Sequence, residues 1–215
     1  MGLPVMIIGR SGSGKSTSLR NFPEAGVINV LGKPFPFRGA VKSVNTQSYA
    51  TIKSILSNGK AKTNSYVIDD AGYLITIYFM KNHSSTGGGN SVFSLYNDIA
   101  DDFYKLVRFV VEDMPPEKIV YFIMHEDKND FGEIKPKTIG KLLDEKVCLE
   151  GMFTVVLRCT ILDGKHVFVT QSDGLNVCKT PIGMFNSLAI DNDLKVVDDT
   201  IRNYYEIGGI ANAEN

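Results

Sequence analysis

The sequence predicts a single α/β domain, with a mainly parallel sheet flanked by helices and an antiparallel hairpin at the sheet edge. Up to about residue 150, short apolar runs alternate with amphipathic segments, which is the pattern of parallel strands joined by crossover helices. Beyond it, two strand-like runs flank Asp163-Gly164, a pair that favours the positive φ angles of a tight hairpin turn. The length of 215 residues and the hydrophobic content of 43% suit one domain over 1–215, with the hairpin and a last helix at about 151–207.

The apolar runs and the turn residues place each element along the chain. The predicted parallel strands are 5–8, 27–31, 66–68 and 119–124, and the predicted hairpin strands are 153–161 and 166–170. The predicted helices are 15–21, 47–56, 73–80, 93–111 and 196–205, with a short one that contains Leu142-Leu143. Residues 32–39 form a loop because two prolines remove ladder donors. The polar segments 83–90 and 126–137 are predicted to be loops, the first of them mobile.

Composition excludes several classes of protein. The formal net charge of −1 excludes a globally basic nucleic-acid coat protein and an acidic tail. The longest apolar runs have the length of strands, so no membrane span is expected, and the N-terminal residues lack the features of a signal peptide. The three scattered cysteines form no CxxC pair and no cluster with histidine. We therefore expect a protein of the reducing cytoplasm that has no structural zinc.

Residues 9–16 read GRSGSGKS and match the phosphate-binding P-loop pattern GxxxxGK[ST]. Glycines let such a loop wrap so that its backbone N–H groups converge on phosphate oxygens, while Lys15 faces the β- and γ-phosphates and the Ser16 hydroxyl can bind Mg²⁺. The alternative is a glycine-rich turn without a ligand, but the position between a strand and a helix favours ATP with Mg²⁺. The residues predicted to hold the nucleotide are Gly9, Arg10, Ser11, Gly12, Ser13, Gly14, Lys15, Ser16 and Thr17.

Charged side chains end two of the predicted parallel strands. Asp69 closes the third strand, where a carboxylate would bind Mg²⁺ together with Ser16; the alternative is a solvated helix cap. Asp70 has two open interpretations, since it could polarise the attacking water or cap the next helix. His125 closes the fourth strand and could contact the γ-phosphate or position water, or instead bond to nearby backbone.

A set of basic side chains predicts contact with single-stranded DNA. Residues 134–141 read IKPKTIGK and contain three lysines and no acid. Phe35 and Phe37 lie on another loop, and lysines together with loop aromatics suit a single strand, because phosphates meet charge and bases stack on rings. Alternatively, the lysines are solvated and the phenylalanines pack into the core. The candidate contacts are Lys81, His83, Lys128, Lys135, Lys137 and Lys141.

Several motifs in a fixed order carry a family resemblance that covers residues 3–207. They are the P-loop, VIDD at 67–70, YFIMHE at 121–126, KTIGKLLDEK at 137–146, EGMFTVVLR at 150–158, KTP at 179–181 and IDNDL at 190–194. Together they resemble the small bacteriophage AAA-type ATPases with a RecA-like core, some of which are associated with ATP-dependent single-strand annealing or recombination. The resemblance implies a DNA-dependent ATPase in the cytoplasm of a phage-infected bacterium. It further implies a homo-oligomer, as a ring or short filament, and a single-strand binding protein as a further partner.

The resemblance also assigns roles to individual residues. It makes His125 the sensor of the γ-phosphate and segments 81–90 and 126–137 the two mobile DNA-binding loops. Lys179 resembles the lysine that a neighbouring subunit's edge hairpin contributes to the nucleotide. With these assignments the expected catalytic set is Lys15, Asp69, Asp70, His125 and Lys179.

Two departures from the family pattern keep other functions open. RecA-like enzymes usually carry a catalytic glutamate just after the second strand, but residues 29–33 read NVLGK, so hydrolysis would use another base such as Asp70 or would be slow. The sequence also begins directly at its first strand, without the arm that links RecA subunits, which leaves a filament in question. A nucleotide-gated interaction protein with little hydrolysis is therefore an alternative. A small-molecule kinase is another, although the segment after the fourth strand offers no arginine for a lid.

Overall fold

A single sheet with helices on both faces forms the centre of the fold. The structure is a computed structural model that describes residues 1–58, 63–84, 90–139 and 147–208. Within these residues nine strands form one sheet in the order β3-β2-β4-β5-β1-β7-β8-β9, and β6 pairs with β5 off this path. The strands are β1 Leu3–Gly9, β2 Gly26–Asn29, β3 Ser43–Asn45, β4 Ser65–Asp69, β5 Ile119–Lys128, β6 Ile134–Pro136, β7 Val155–Leu162, β8 Lys165–Val169 and β9 Ala189–Asp191. The run from β3 to β7 is parallel, and β8 and β9 extend it in antiparallel fashion. The predicted fold class is therefore confirmed.

Helices cover both faces of this sheet. The helices are α1 Tyr49–Leu56, α2 Gly72–Asn82, α3 Asn90–Asp113 and α4 Leu194–Tyr205, and two short 3-10 helices span Ser16–Asn21 and Leu149–Met152. Helices α1 to α3 pack on the face that Met6 and Ile8 of β1 point towards, whereas α4 and the first 3-10 helix pack on the face of Val5 and Ile7. Among the described residues, no helix is both long and apolar enough to cross a membrane.

The carboxyl ends of the parallel strands meet at one edge of the sheet. Strand β1 has helices on both sides, so its four central residues are fully buried, and such strands read as continuous apolar runs. The register pairs Gly9 of β1 with His125 of β5 and with Cys159 of β7. Asn29 of β2 pairs with Asp69 of β4 in the same way. The fold thus brings together the ends of β1 and β4 and the part of β5 around His125.

The edge hairpin was predicted correctly, and three short strands, β3, β6 and β9, were missed. Asp163 and Gly164 have φ angles of 50° and 75°, which is the positive-φ turn that the Asp-Gly pair predicts. Strands β3 and β9 were not predicted, because each is three residues long and carries no alternating apolar pattern. The helix after the P-loop is a 3-10 helix, with a tighter turn than the α-helix that its sequence suggests.

The prediction of a polar loop at 126–137 was wrong, because this segment forms a β-hairpin. Strand β5 continues to Lys128 and pairs with β6, with Asp127 opposite Lys135. The turn is closed by Asn129, whose Oδ1 accepts hydrogen bonds from the backbone N–H groups of Phe131 and Glu133. A hydrophobic pattern could not show this hairpin, since its pairing joins polar residues across the strands.

The other predicted mobile loop, 81–90, is wrong at both ends. Lys81 lies in the last turn of α2, His83 caps that helix, and Asn90 is already the first residue of α3. Residues 85–89 lie outside the described residues. The same holds for 140–146, which include Lys141 and the short helix predicted around Leu142-Leu143.

At the opposite, amino-terminal edge of the sheet, a buried carboxylate fastens α4. Asp198 Oδ1 accepts hydrogen bonds from Ser65 Oγ and Tyr121 Oη, both at 2.8 Å. Asp198 Oδ2 accepts one from Arg202 Nε at 2.7 Å, and Arg202 also donates to Ser65 Oγ. This network ties the last helix to the first residues of β4 and β5.

Candidate functional site

The P-loop joins the end of β1 to the first 3-10 helix and can form only with glycine at three positions. Gly12 and Gly14 have φ angles of 78° and 101°, which side chains other than glycine rarely adopt. A Cβ on Gly9 would lie 2.5 Å from the Cys159 carbonyl oxygen and 2.6 Å from Ser13 Oγ. The loop therefore wraps closely on itself, as a phosphate cradle requires.

The β7–β8 hairpin holds one peptide plane of this loop. The Ser13 carbonyl oxygen accepts from His166 Nδ1 at 2.7 Å, with the proton on that nitrogen, and from Cys159 Sγ at 3.0 Å. Burial raises the pKa of Cys159 to about 11, so the group stays a thiol that can donate at neutral pH. In a trans peptide the C=O and N–H bonds point in opposite directions. The two donors therefore turn the Gly14 N–H away from the hairpin.

The Lys15 ammonium lies inside the loop. Its Nζ donates to the carbonyl oxygens of Gly9 at 2.9 Å and Arg10 at 2.7 Å. The residue is only 6% exposed, and burial lowers the pKa of its side chain. A buried cation in a loop of inward-facing backbone is suited to an anionic ligand such as a triphosphate.

Ser16 and Asp69 form a pair that fits a magnesium ion. Ser16 Oγ donates to Asp69 Oδ1 at 3.0 Å, and Asp69 is 4% exposed. Burial, followed by the neighbouring Asp70 carboxylate, raises the pKa of Asp69 to about 6. A divalent cation would offset that penalty, and Mg²⁺ is commonly bound by a hydroxyl and one carboxylate together with substrate phosphates. Ser16 and Asp69 would hold the metal here.

Asp70 adopts a left-handed backbone conformation, with φ at 60°, beside two basic groups. Its carboxylate lies 2.7 Å from Lys33 Nζ and 3.6 Å from His125 Nε2. Burial raises the pKa of Asp70, but the contacts with His125 and Lys33 outweigh it and leave this pKa below its usual value. The helix-cap interpretation is not supported, because α2 begins after Ala71 without a side-chain cap.

Sequence reasoning missed Lys33, although residues 29–33 were considered for an absent glutamate. Asn29 shapes this turn: its Nδ2 donates to the Lys33 carbonyl at 2.7 Å, and its Oδ1 accepts from Gly32 N at 2.8 Å. The Lys33 ammonium pairs with Asp70, and its pKa is raised by that hydrogen bond. The position of Lys33 just after β2 points to Asp70 only once β2 and β4 are known to be neighbours in the sheet.

His125 connects the P-loop to the β5–β6 hairpin. Its ring meets the Tyr73 ring edge to face, with centroids 5.7 Å apart. Its carbonyl oxygen accepts from the backbone N–H of Lys137 at 2.7 Å. A shift of the His125 backbone would therefore move Lys137, the last residue of the hairpin, as well.

Glu126 and Arg158 form a second ionic contact that the sequence did not reveal. Arg158 donates to the Glu126 carboxylate through Nε at 2.7 Å and Nη2 at 3.0 Å, and Arg10 Nε lies 4.0 Å away. This pair joins the carboxyl-terminal part of β5 to the middle of β7 beside the P-loop.

The P-loop pocket has a volume of about 270 Å³. Its lining residues are Ser11, Gly12, Gly14, Lys15, Ser16, Thr17, Lys33, Pro36, Asp70, His125 and His166. The structure thus brings together Lys15, Ser16, Asp70 and His125, with Asp69 hydrogen-bonded to Ser16.

The remaining predicted residues lie elsewhere. Lys179 pairs through its backbone with Val156, three positions before the level of Gly9, and does not line the P-loop pocket. Lys81 Nζ donates to Gln47 Oε1, and the His83 ring stacks on Phe79. Lys128 and Lys135 lie on the β5–β6 hairpin. Phe35 and Phe37 stack on each other and pack against the core, as the alternative interpretation expected.

Comparison with known families supports the nucleotide site. Residues 1–182 match the family model described as AAA domain. No curated protein matches the chain. Because the match covers most of the chain, the protein belongs to the AAA domain family, which points to nucleotide binding and ATPase activity.

Proposed function

We propose that this AAA-domain protein binds ATP with Mg²⁺ and hydrolyses it in response to single-stranded DNA, in annealing or recombination. The observation that carries the nucleotide part is the convergence of three side chains after β1 and β4. Lys15 lies within the P-loop, and Ser16 Oγ is 3.0 Å from the Asp69 carboxylate. The DNA and recombination parts rest on the resemblance and on the three lysines of the β5–β6 hairpin, Lys128, Lys135 and Lys137, which lie among four acidic residues.

The residues of the loop would act through position and charge. Backbone N–H groups of the P-loop would donate to the β- and γ-phosphate oxygens, and Lys15 would exchange its two carbonyl contacts for phosphate oxygens. Mg²⁺ held by Ser16 and Asp69 would neutralise charge that develops on the transferred phosphoryl group. Phosphoryl transfer depends mostly on such positioning and electrostatic stabilisation.

Asp70 and His125 would orient the attacking water. Both side chains border the P-loop pocket, and they lie 3.6 Å apart. The ion pair with Lys33 keeps Asp70 charged but weakly basic, so basal hydrolysis is expected to be slow. The same ion pair favours a second candidate function, a nucleotide-gated interaction protein that binds ATP and hardly hydrolyses it.

The β5–β6 hairpin would transmit the effect of DNA binding to the nucleotide site. It carries Lys128 and Lys135, and it returns to the sheet at Lys137, whose N–H binds the His125 carbonyl. A strand that binds these lysines would therefore act on His125, the residue proposed to sense the γ-phosphate.

We further propose an oligomer in which Lys179 serves a neighbouring subunit. Three strand residues span about 10 Å, so Lys179 lies well below the level of its own P-loop. Mixing Lys15→Ala subunits with Lys179→Ala subunits tests this, because a lysine that acts between subunits should restore some activity at mixed interfaces. Activity that stays at the level of the separate variants would exclude the role.

The experiment that tests the proposed function measures ATP hydrolysis with and without oligo(dT). The wild type should show slow turnover that single-stranded DNA stimulates, and Lys15→Ala should lose it because the phosphates lose their cation. Lys42→Ala removes an exposed lysine outside the P-loop pocket and should behave as wild type. ATP binding without turnover, with or without DNA, would favour the nucleotide-gated candidate, and the absence of ATP binding would refute both.

A further inference from the structure

A second cleft adjoins the P-loop pocket and shares Ser11 and His125 with it. Its volume is about 520 Å³, which lies within the usual range for small-ligand sites. The lining residues are Arg10, Ser11, Gly72, Tyr73, Thr76, His125, Glu126 and Lys137. The cleft lies between the start of α2 and the base of the β5–β6 hairpin, and of the predicted nucleotide contacts Arg10, Ser11 and His125 line it.

The charges of this cleft favour an anion. Arg10 is 80% exposed at its side chain, and Lys137 is exposed at the other wall. Among the residues that the structure describes, one acidic side chain lines the cleft, that of Glu126, and both Nε and Nη2 of Arg158 donate to it, so its charge is largely compensated. Arg10 Nε lies 4.0 Å from the same carboxylate, at the limit of an ion pair, so the largely exposed Arg10 and the exposed Lys137 are both accessible to a phosphate group.

The remaining wall suits a flat ring. Tyr73 is half-buried at the start of α2, its ring meets His125 edge to face, and Lys33 Nζ lies 6.0 Å from the ring centroid. Thr76, one turn further along α2, adds a hydroxyl group. An aromatic face next to two cations is the combination that single-stranded nucleic acid uses, with a base on the ring and the backbone on the charges.

We propose that this cleft seats one nucleotide of the single strand, with its base against Tyr73 and its phosphate bound by Arg10 and Lys137. The proposal deepens the proposed function and rests on it. The nucleotide of the strand would then contact His125, which lines both this cleft and the P-loop pocket.

This placement supplies a physical link between DNA and ATP. A base on Tyr73 would press on the His125 ring, and a phosphate on Lys137 would pull on the residue whose N–H binds the His125 carbonyl. His125 Nε2 lies 3.6 Å from Asp70, so both displacements change the contact that orients the attacking water. Occupancy of the cleft would thus alter hydrolysis without any movement of the P-loop.

The test uses oligo(dT) with a single 5-iododeoxyuridine, bound in the presence of a non-hydrolysable ATP analogue and cross-linked by light. The wild type should cross-link at Tyr73, as mapped by mass spectrometry. Tyr73→Ala should weaken oligo(dT) binding about tenfold, whereas Tyr73→Phe should keep most of it, because stacking needs the ring and not the hydroxyl. Lys137→Ala should flatten the log–log salt dependence by about 0.7, the value for one phosphate contact to a single strand.

Two matched controls lie outside the cleft. Tyr104→Ala removes a partly exposed tyrosine on α3, and Lys42→Ala removes an exposed lysine; both should bind oligo(dT) as the wild type does. Circular dichroism confirms that each variant is folded before it is compared, and cross-linking of the wild type does not depend on any variant.

The outcomes separate the cleft from the broader proposal. The proposal for the cleft is wrong if the wild type binds oligo(dT) but cross-links only elsewhere, or if Tyr73→Ala binds as tightly as Tyr73→Phe. Either result leaves the proposal of a DNA-dependent ATPase intact. Wild-type protein that binds no oligo(dT) even at low salt overturns both.

Discussion

Asp69 and Asp198 are both buried aspartates, but at opposite edges of the sheet and in different surroundings. They are 4% and 3% exposed. Asp198 accepts three side-chain hydrogen bonds, from Ser65, Tyr121 and the charged Arg202. Among the residues that the structure describes, Asp69 accepts one such bond, from Ser16, and burial next to Asp70 raises its pKa to about 6.

The difference separates a structural carboxylate from one that is prepared for a ligand. A buried charge is costly unless hydrogen bonds and an opposite charge compensate for it. At the amino-terminal edge the protein supplies that compensation itself and gains a fixed position for α4. At the carboxyl-terminal edge the compensation is incomplete, and a metal bound with the nucleotide would complete it.

The largest expected effect is on stability, from Asp198→Ala. Removing this carboxylate leaves Arg202, Ser65 and Tyr121 without their shared acceptor, so the free energy of unfolding should fall by about 3–5 kcal/mol. Urea denaturation measures it. Asp199→Ala is the matched control, since its exposed carboxylate pairs only with Lys195 at the surface and should change this free energy by less than about 0.5 kcal/mol. Equal losses of the free energy of unfolding in the two variants would show that Asp198 does not have this structural role.

Asp69→Asn should act in the opposite direction and stabilise the protein when metal and nucleotide are absent. The folded-state pKa of about 6 lies above the unfolded value, so the charged carboxyl destabilises the fold above pH 6, and this penalty disappears as the pH falls towards 4. With EDTA at pH 7.5 the variant should gain about 2 kcal/mol in the free energy of unfolding. The gain should shrink when the same measurement is made at pH 4.5.

Asp70→Asn is the control for Asp69→Asn, because the same substitution at the neighbouring residue should change the free energy of unfolding in the opposite direction. The pKa of Asp70 is lowered, so its charged form stabilises the fold and the variant should lose stability at pH 7.5. If both asparagine variants lost stability, the protein itself would already compensate the buried charge of Asp69, contrary to the account.

The smallest expected effect concerns the support of the P-loop by the hairpin. His166→Ala removes one donor to the Ser13 carbonyl and should weaken ATP binding about fivefold, the worth of about 1 kcal/mol. His166→Asn can place an amide N–H where Nδ1 lies and should recover most of the affinity, as measured by calorimetry. Since His166 is exposed, thermal stability should hardly change. Equal ATP affinity in wild type and His166→Ala would show that the hairpin does not orient this peptide.

The residues that could be predicted from the sequence are those fixed by the buried parallel strands. A strand covered on both faces is a continuous apolar run, and its carboxyl end is where the run stops. For this reason Gly9, Asp69 and His125 could be placed at one edge before any coordinates. The P-loop pattern added Lys15 and Ser16, because its glycines dictate the local backbone.

The contacts between distant segments could not be predicted. Lys33 reaches Asp70 only because β2 and β4 are neighbours in register, and His166 reaches Ser13 only because β8 folds back along β7. Strand β6 was missed because its partner residues are polar. The roles proposed for Lys81, His83, Lys128, Lys135, Lys137 and Lys179 remain predictions.

The central claim is that the incompletely compensated Asp69 is the carboxylate that holds the metal of a bound nucleotide. Isothermal titration of ATP with and without Mg²⁺, on wild type and Asp69→Asn, tests it most directly, with Asp199→Asn as the control. Mg²⁺ should tighten ATP binding to the wild type and to Asp199→Asn, and should have little effect on Asp69→Asn. Tightening of the same size in Asp69→Asn would contradict the account.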